Sequence, residues 1–291
     1  MFVKGVARMG GTMYTIKRAA DLTGVPEATL RAWERRYGMV RPERTDGGYR
    51  VYDDDDLDRL RQMRDLVAQG WAPRQAAEQV RPGPSGGQPP ATDEFVAAAA
   101  AGDVVGLRAV LQQASESASC ESFVQDWLLP AVSDLGVAWS RGEVSVGGEH
   151  LAAHTVMRHL AGVFEAAGRH SVGQRVLVGL PAGARHEIGA FAFATLARRR
   201  GLDVRYAGAD LPVGDWVGLA GQDELDAAVV CVPMSEDAAA AQETVDALRA
   251  AHPRLLVAAG GGHQEQVEGA LRLGHLVGRG VDELVLALQA S

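Results

Sequence analysis

Residues 81–92 read RPGPSGGQPPAT, and no packed helix or strand tolerates that composition. Its prolines fix φ and remove backbone donors, while its glycines add backbone freedom. The stretch reads as a linker, semi-rigid where proline dominates and flexible where glycine does. The chain therefore folds as separate pieces on either side of it. A length of 291 residues suits two or three domains, and a hydrophobic fraction of 47% is ample for their cores.

The pieces differ in charge. Residues 1–50 hold ten Lys or Arg against five Asp or Glu, a net of +5. Residues 81–291 hold fifteen against twenty-five, a net of −10. The whole-chain value of −8 argues against nonspecific nucleic-acid binding by the entire molecule, but a basic head on an acidic body points to a polyanion touched by the head alone. No apolar run approaches membrane-spanning length, and the first residues lack the pattern of a signal peptide. Cys120 and Cys231 lie too far apart in sequence to form a zinc box or a disulfide framework. The expectation is a cytoplasmic protein with no membrane partner.

YTIKRAADLTGVPEATLRAWERRYG predicts two short helices and a tight turn. Thr15 caps the first helix, Gly24 makes the turn, Pro26 falls in the first turn of the second helix, and Gly38 ends it. Leu30 and Trp33 face a core, while Arg31, Arg35 and Arg36 spread over other faces. Asp46-Gly47-Gly48 predicts a hairpin, flanked by Arg44, Tyr49 and Arg50. Asp53 to Asp56 then open a helix, where acids suit the dipole. Trp71 is expected to pack on that helix.

The block TIKRAADLTGVPEATLRAWERRYGMVRPERTDGGYRVYDDDDLDRLRQM resembles the winged-helix DNA-binding domain of the MerR family of transcription regulators. The resemblance rests on WERRYG, on the R-x-x-GG-x-R-x-Y wing and on the acidic helix start. It implies that Arg18, Arg31, Arg35, Arg36, Arg44, Tyr49 and Arg50 face double-stranded, palindromic promoter DNA, with the protein a dimer. The expected divisions are a winged-helix domain over 13–81, the linker over 82–92, a four-helix bundle over 93–170 and an α/β domain over 171–291.

Apolar residues of the middle recur at helical spacing, among them Phe95, Leu107, Leu111, Phe123, Trp127 and Leu160. Within it, AWSRGEVSVGGEHLAAH sets Glu149 and His150 in the first turn of a helix after Gly147 and Gly148. On spacing alone, Trp139 reads as bundle core and Glu149 as a helix cap. The H-E-x-x-H spacing of zinc peptidases is absent.

From Gln174 strands alternate with helices: RVLVGL, LDVRYAG, AAVVCVPM, RLLVAAGG, and a short final strand and helix in HLVGRGVDELVLALQA. This predicts a parallel, doubly wound sheet with ligands beyond its carboxyl edge. His186, Cys231 and Gly260 to Gly262 fall there. Neither the dinucleotide nor the triphosphate glycine pattern is present.

Residues 93–291 resemble the cobalamin-binding module, a helical cap followed by a flavodoxin-like domain. The family pattern D-x-H-x-x-G is here A-R-H-E-I-G, with His186 and Gly189 matching and Ala184 departing. The resemblance makes His186 the lower axial ligand to cobalt, with Glu187 or a backbone carbonyl the candidates to orient it in place of the lost acid. Cys231 stands where the family has serine; Gly260 and Gly261 form the third motif. The order of modules resembles the CarH/LitR type of light-responsive repressor, which uses adenosylcobalamin. The cap pattern W-x9-E-H of that type is met by Trp139, Glu149 and His150, and Asp210 matches an acidic position near the ligand. The residue after the cap tryptophan is Ser140, where the best-understood members have a histidine that becomes the upper ligand after photolysis. A hydroxyl replaces imidazole poorly on cobalt, so the expectation is a protein that handles light differently, with His150 an alternative imidazole, or one that senses the cofactor alone.

The function expected is a non-enzymatic DNA-binding repressor, a homodimer or homotetramer, controlled by adenosylcobalamin or another cobalamin. The alternative is a MerR-like regulator with a degenerate pocket that takes another planar ligand, a tetrapyrrole or flavin, or works through protein contacts.

Overall fold

The computed structural model describes residues 13–40, 42–44, 49–68, 71–80, 89–167, 174–222 and 225–290. The chain divides into two compact units, Met1–Gly87 and Gln88–Ser291. No helix among the described residues is long and apolar enough to cross a membrane.

In the first unit a short strand β1 (Tyr14–Thr15) leads into α1 (Ile16–Thr23) and α2 (Glu27–Tyr37). The Thr15 side chain accepts a hydrogen bond from the Arg18 N–H at 3.4 Å, as the cap reading expects. Gly24 and Gly38 close the two helices at φ of 68° and 59°, a region glycine enters without a Cβ penalty. Pro26 is the N-cap of α2, one residue ahead of its expected place. β2 (Glu43–Arg44) pairs antiparallel with β3 (Arg50–Tyr52), and β3 also pairs with β1. The expected turn at Asp46 to Gly48 lies outside the described residues. α3 (Asp54–Ala68) starts where the Asp53 carboxylate accepts from the Asp56 N–H at 2.8 Å, and α4 (Pro73–Gln79) follows. Leu30, Met39, Tyr52, Leu60 and Met63 form the core, with Trp33 packed against it. Trp71 departs from expectation in part: it is about half exposed and lies outside the core cluster.

The second unit opens with helices. They are α5 (Thr92–Ala100), α6 (Val104–Ser117), then α7 (Cys120–Ser122) continuing through the π-helical Phe123–Leu128 into α8 (Leu129–Ser140), and α9 (Val146–Ala166). Asp103 and Ser145 cap α6 and α9 with their side-chain oxygens. The helix begins at Val146, so Gly147 and Gly148 lie inside its first turn rather than before it. Gly148 is needed there: a Cβ would stand 2.4 Å from the Ala99 carbonyl oxygen of α5. Phe123 stacks on Trp127 at 5.8 Å between centroids and also meets His159 at 5.4 Å. The Trp127 indole donates to the Pro90 carbonyl at 2.6 Å, tying the chain entering the bundle to its core.

His159 Nε2 is buried with no hydrogen-bond partner among the described residues, and burial holds its imidazole below the ordinary 6.5. Above 6.5 both folded and unfolded chains carry it neutral. As pH falls below 6.5 the unfolded chain takes a proton that the folded one resists, so stability is lost toward the lowered folded value. We expect the melting temperature to fall between about pH 7.5 and about pH 5, and to fall less steeply in His159→Gln.

The sheet holds β4 (Arg175–Pro181), β5 (Asp203–Leu211), β6 (Ala227–Cys231), β7 (Leu256–Gly260) and β8 (Leu271–Arg272). All pairings are parallel, in the order β5-β4-β6-β7-β8. Helices α10 (Ile188–Arg199), α11 (Val213–Gln222), α12 (Ala238–Ala251) and α13 (Val277–Ala290) cover it. Side chains alternate: Val176, Val178 and Val229 pack with α10, α13 and the bundle, whereas Leu177, Ala228 and Val230 pack with Trp216 of α11 and Val245 of α12. The final strand is at Leu271–Arg272, not after His275 as expected. Gly274, at φ of 71°, turns the chain there, and the apolar run from Val277 is helical.

Nine consecutive residues of α10, Ala190 to Arg198, are buried, because the bundle covers one side and the sheet the other. Arg198 joins the layers: its guanidinium donates to the Phe164 carbonyl at 3.2 Å and sits 3.9 Å above the Phe164 ring. Arg200 pairs with both Glu121 and Asp282, bridging α7 and α13.

Candidate cofactor site and DNA-binding face

A cavity of about 1070 Å³ opens where the bundle meets the carboxyl edge of the sheet. That is at or above the upper end of small-molecule sites, roughly 300–1,000 Å³. The strand order reverses beside β4, whose neighbours are β5 and β6, so this is the switch point at which open α/β sheets bind ligands.

The sheet wall comes from four loops. The loop after β4 supplies Arg185, His186 and Glu187, with Gly189 in the first turn of α10. Cys231 ends β6 and Pro233 follows it, Gly260 ends β7 with Gly261 and Gly262 after it, and Leu273 to Val277 lead into α13. Gly261 is held at φ of 100°, and a Cβ on it would stand 2.6 Å from the Val232 carbonyl oxygen, so only glycine fits that approach. The Cys231 thiol is pushed up to about 12 by burial and stays neutral.

The bundle wall comes from the end of α8, with Trp139 and Ser140, and from one face of α9. Glu149, His150, Ala153, His154 and Met157 recur there at helical spacing. Trp139 is about half exposed (49%), which places it on the cavity wall rather than in the bundle core. Glu149 accepts from His150 Nδ1 at 2.6 Å. The Ser140 hydroxyl donates to the Val137 carbonyl at 2.7 Å.

His186 is exposed, and its ring has no hydrogen-bond partner among the described residues. Glu187 does not orient it: that carboxylate accepts from the Tyr206 hydroxyl at 3.1 Å, and the phenol is pushed well above its ordinary range by burial and by Glu187. Asp210 does not line the cavity. Its carboxylate accepts from the Gly183 N–H at 2.7 Å, and its own N–H donates to the Ala184 carbonyl at 3.0 Å. Asp210 thereby braces the loop that carries His186, at a φ of 56°. Asp210→Ala should cost about 1–2 kcal/mol through αL strain and the lost bond, read as the urea midpoint, and Asp210→Asn should cost less.

Sequence reasoning passed over His154, Met157, Arg185 and the Leu273 to Val277 loop as cavity residues. The α9 set follows from Glu149 by helical spacing; no local signal marks the loop.

In the first unit Arg18, Arg35 and Arg36 are exposed, with no ion-pair partner among the described residues. Arg31 is exposed and pairs with Glu27 at 3.0 Å, and Tyr49 is exposed. Arg50 instead donates to Glu34 of α2 at 2.7 Å and is partly buried, which ties the hairpin to that helix. Arg44 lies in β2, and its side chain is outside the described residues.

Residues 14–81 match the MerR HTH family regulatory protein model, and residues 91–161 match a B12 binding domain model, which falls on the helical bundle. The HTH-type transcriptional repressor CarA of Myxococcus xanthus is 32% identical over 278 residues, 93% of this chain and 94% of that protein. The HTH-type transcriptional repressor CarH of the same organism is 32% identical over 225 residues, 71% of this chain and 74% of that one. The monomethylamine corrinoid protein of Methanosarcina barkeri shares the fold over 68% of this chain and 96% of its own, with a TM-score of 0.56 at 14% identity.

A helix-turn-helix head and a helical bundle set over the carboxyl edge of a parallel sheet define a cobalamin-binding transcription regulator of the MerR type. The chain belongs to the family of CarA and CarH, and it is a regulator rather than an enzyme.

Proposed function

We propose that this chain is a cytoplasmic repressor whose affinity for palindromic promoter DNA is set by adenosylcobalamin bound between bundle and sheet. The observation that carries the reading is that one cavity is lined by His186 and the Gly260–Gly262 edge on one wall and by Trp139, Glu149 and His150 on the other. The donor set fits a corrinoid. An imidazole without partners faces a space of macrocycle size, and among the described residues no cluster of three or more His, Cys, Asp or Glu is arranged to hold a bare metal ion. His186 would hold the cobalt from below, Gly189, Gly260 and Gly261 would admit the nucleotide tail beside Cys231, and Trp139 would cover the upper face with Glu149 and His150 near its rim. When bound, the cofactor supplies a light-sensitive cobalt–carbon bond. Dimers or tetramers suit palindromic recognition.

In the head, Arg18, Arg31, Arg35, Arg36, Arg44 and Tyr49 are read as contacts to DNA, and Arg50 as the residue that fixes the hairpin for them. Arg35→Ala should weaken operator binding by roughly 1–3 kcal/mol if it reads a base, with cobalamin uptake unchanged, measured by gel shift and absorption on the same preparation.

The reading is tested by reconstituting the full chain with adenosylcobalamin in the dark, desalting it, and comparing operator binding before and after green light. Retained cobalamin and a DNA affinity that depends on it are expected. Loss of all cobalamin on desalting would favour the second reading, a regulator with another planar ligand, which Ala184 and Cys231 support as departures from the family motifs.

A further inference from the structure

We propose that Gln264, with His263 beside it, is a positioning residue that fixes the loops around the part of the cavity a nucleotide tail would enter, and so lets the protein tell a complete cobalamin from a corrinoid without that tail; the inference rests on the cobalamin reading above. Neither side chain lines the cavity. Both lie just beyond the carboxyl end of β7, where Gln264–Gln266 forms a single 3-10 turn. Part of the cavity runs into the α/β core: Phe193, Val229, Leu273 and Gly280 line it and are buried. The two side chains join three loops of that wall to one another, those after β6, β7 and β8.

Gln264 is 2% exposed, a depth at which an amide is uncommon unless its bonds are made inside the protein. Here they are. Nε2 donates to the Gly261 carbonyl at 3.2 Å and to the Gly274 carbonyl, and Oε1 accepts from the Gly274 N–H at 3.0 Å. Carbonyls only accept and an N–H only donates, so a single orientation of the amide satisfies all three. The pairing with Gly274 has two points, which fixes both the place and the tilt of a peptide on the cavity wall. His263 reaches the other way. Its Nδ1 donates to the Pro233 carbonyl at 3.0 Å, and its backbone N–H donates to the Val232 carbonyl at 3.1 Å. Gly261 and Gly274 stand at φ of 100° and 71° and carry no side chain to anchor them, so the ties act directly on the backbone that a ligand would meet.

Dissociation constants of the full chain, measured in the dark, test this with two ligands: adenosylcobalamin, and adenosylcobinamide, which has the same ring and upper group but no nucleotide tail. The wild type should bind the first more tightly. Gln264→Leu leaves three backbone groups without their partner and should weaken adenosylcobalamin at least about tenfold, while adenosylcobinamide moves by less than about twofold. His263→Ala removes one side-chain tie and should narrow the preference by roughly threefold; it keeps the test open if Gln264→Leu does not fold. Equal losses for both ligands, or an unchanged preference, in the variants that fold would reduce the two residues to a structural role and overturn the proposal. A wild type that binds the two ligands equally would also overturn it, while leaving the corrinoid reading intact. A wild type that retains neither would overturn both together.

Discussion

His186→Ala is expected to reduce retention of adenosylcobalamin in the dark by at least tenfold, about 1.4 kcal/mol or more. The ring lies on the cavity wall, and no other described side chain engages it, so its removal leaves the surrounding hydrogen bonds intact. The remaining bound fraction should show the spectrum of cobalamin without axial histidine. The thermal stability of the apoprotein should be unchanged, because the side chain is exposed. Equal retention and an unaltered spectrum would remove His186 from the cobalt.

Phe123→Ala should destabilise the second unit by about 3–5 kcal/mol, the usual result of emptying a buried aromatic site. The ring is 1% exposed and stacks on Trp127, which in turn is edge-on to Phe95 at 5.9 Å. It lies in the π-helical segment, where the helix ladder is already irregular and side-chain packing has to hold the turn. Urea unfolding followed by tryptophan fluorescence would show it as a lowered midpoint. Val105→Ala, on an exposed helical surface, should move the midpoint by no more than about 0.5 kcal/mol. Equal effects from the two would contradict the placement of Phe123 in the core.

Most of the architecture was legible because its signals are local. Thr15, Gly24 and Gly38 mark helix ends by capping chemistry that acts within a few residues, and the valine-rich runs at 175–180 and 227–234 mark strands buried on both faces. The loops of the site followed from the same logic, since strand ends in a doubly wound sheet converge on one edge. The parts missed depend on distant partners. Asp210 looked like a wall residue, but 27 positions separate it from the Gly183 N–H that it holds. Arg50 was read from the wing motif alone, and its ion pair with Glu34, 16 residues earlier, has no local signal. The π-helical turn at Phe123–Leu128 has no sequence signature apart from its crowded aromatics. β8 is too short to stand out from the turn beside it.

The burial of α10 has a consequence for how a large molecule enters the protein. Phe164 of α9 and Phe191 of α10 touch at 5.3 Å, Arg198 is clasped under the former, and bundle and sheet residues form one continuous apolar cluster. Swinging the helices away from the sheet would pull that cluster apart and strand a buried guanidinium. The helical layer is thus a fixed roof and not a hinged door. Trp139 lies outside that cluster, a half-exposed ring on the cavity wall, so it is side chains of this kind, and not the helices that carry them, that are free to shift.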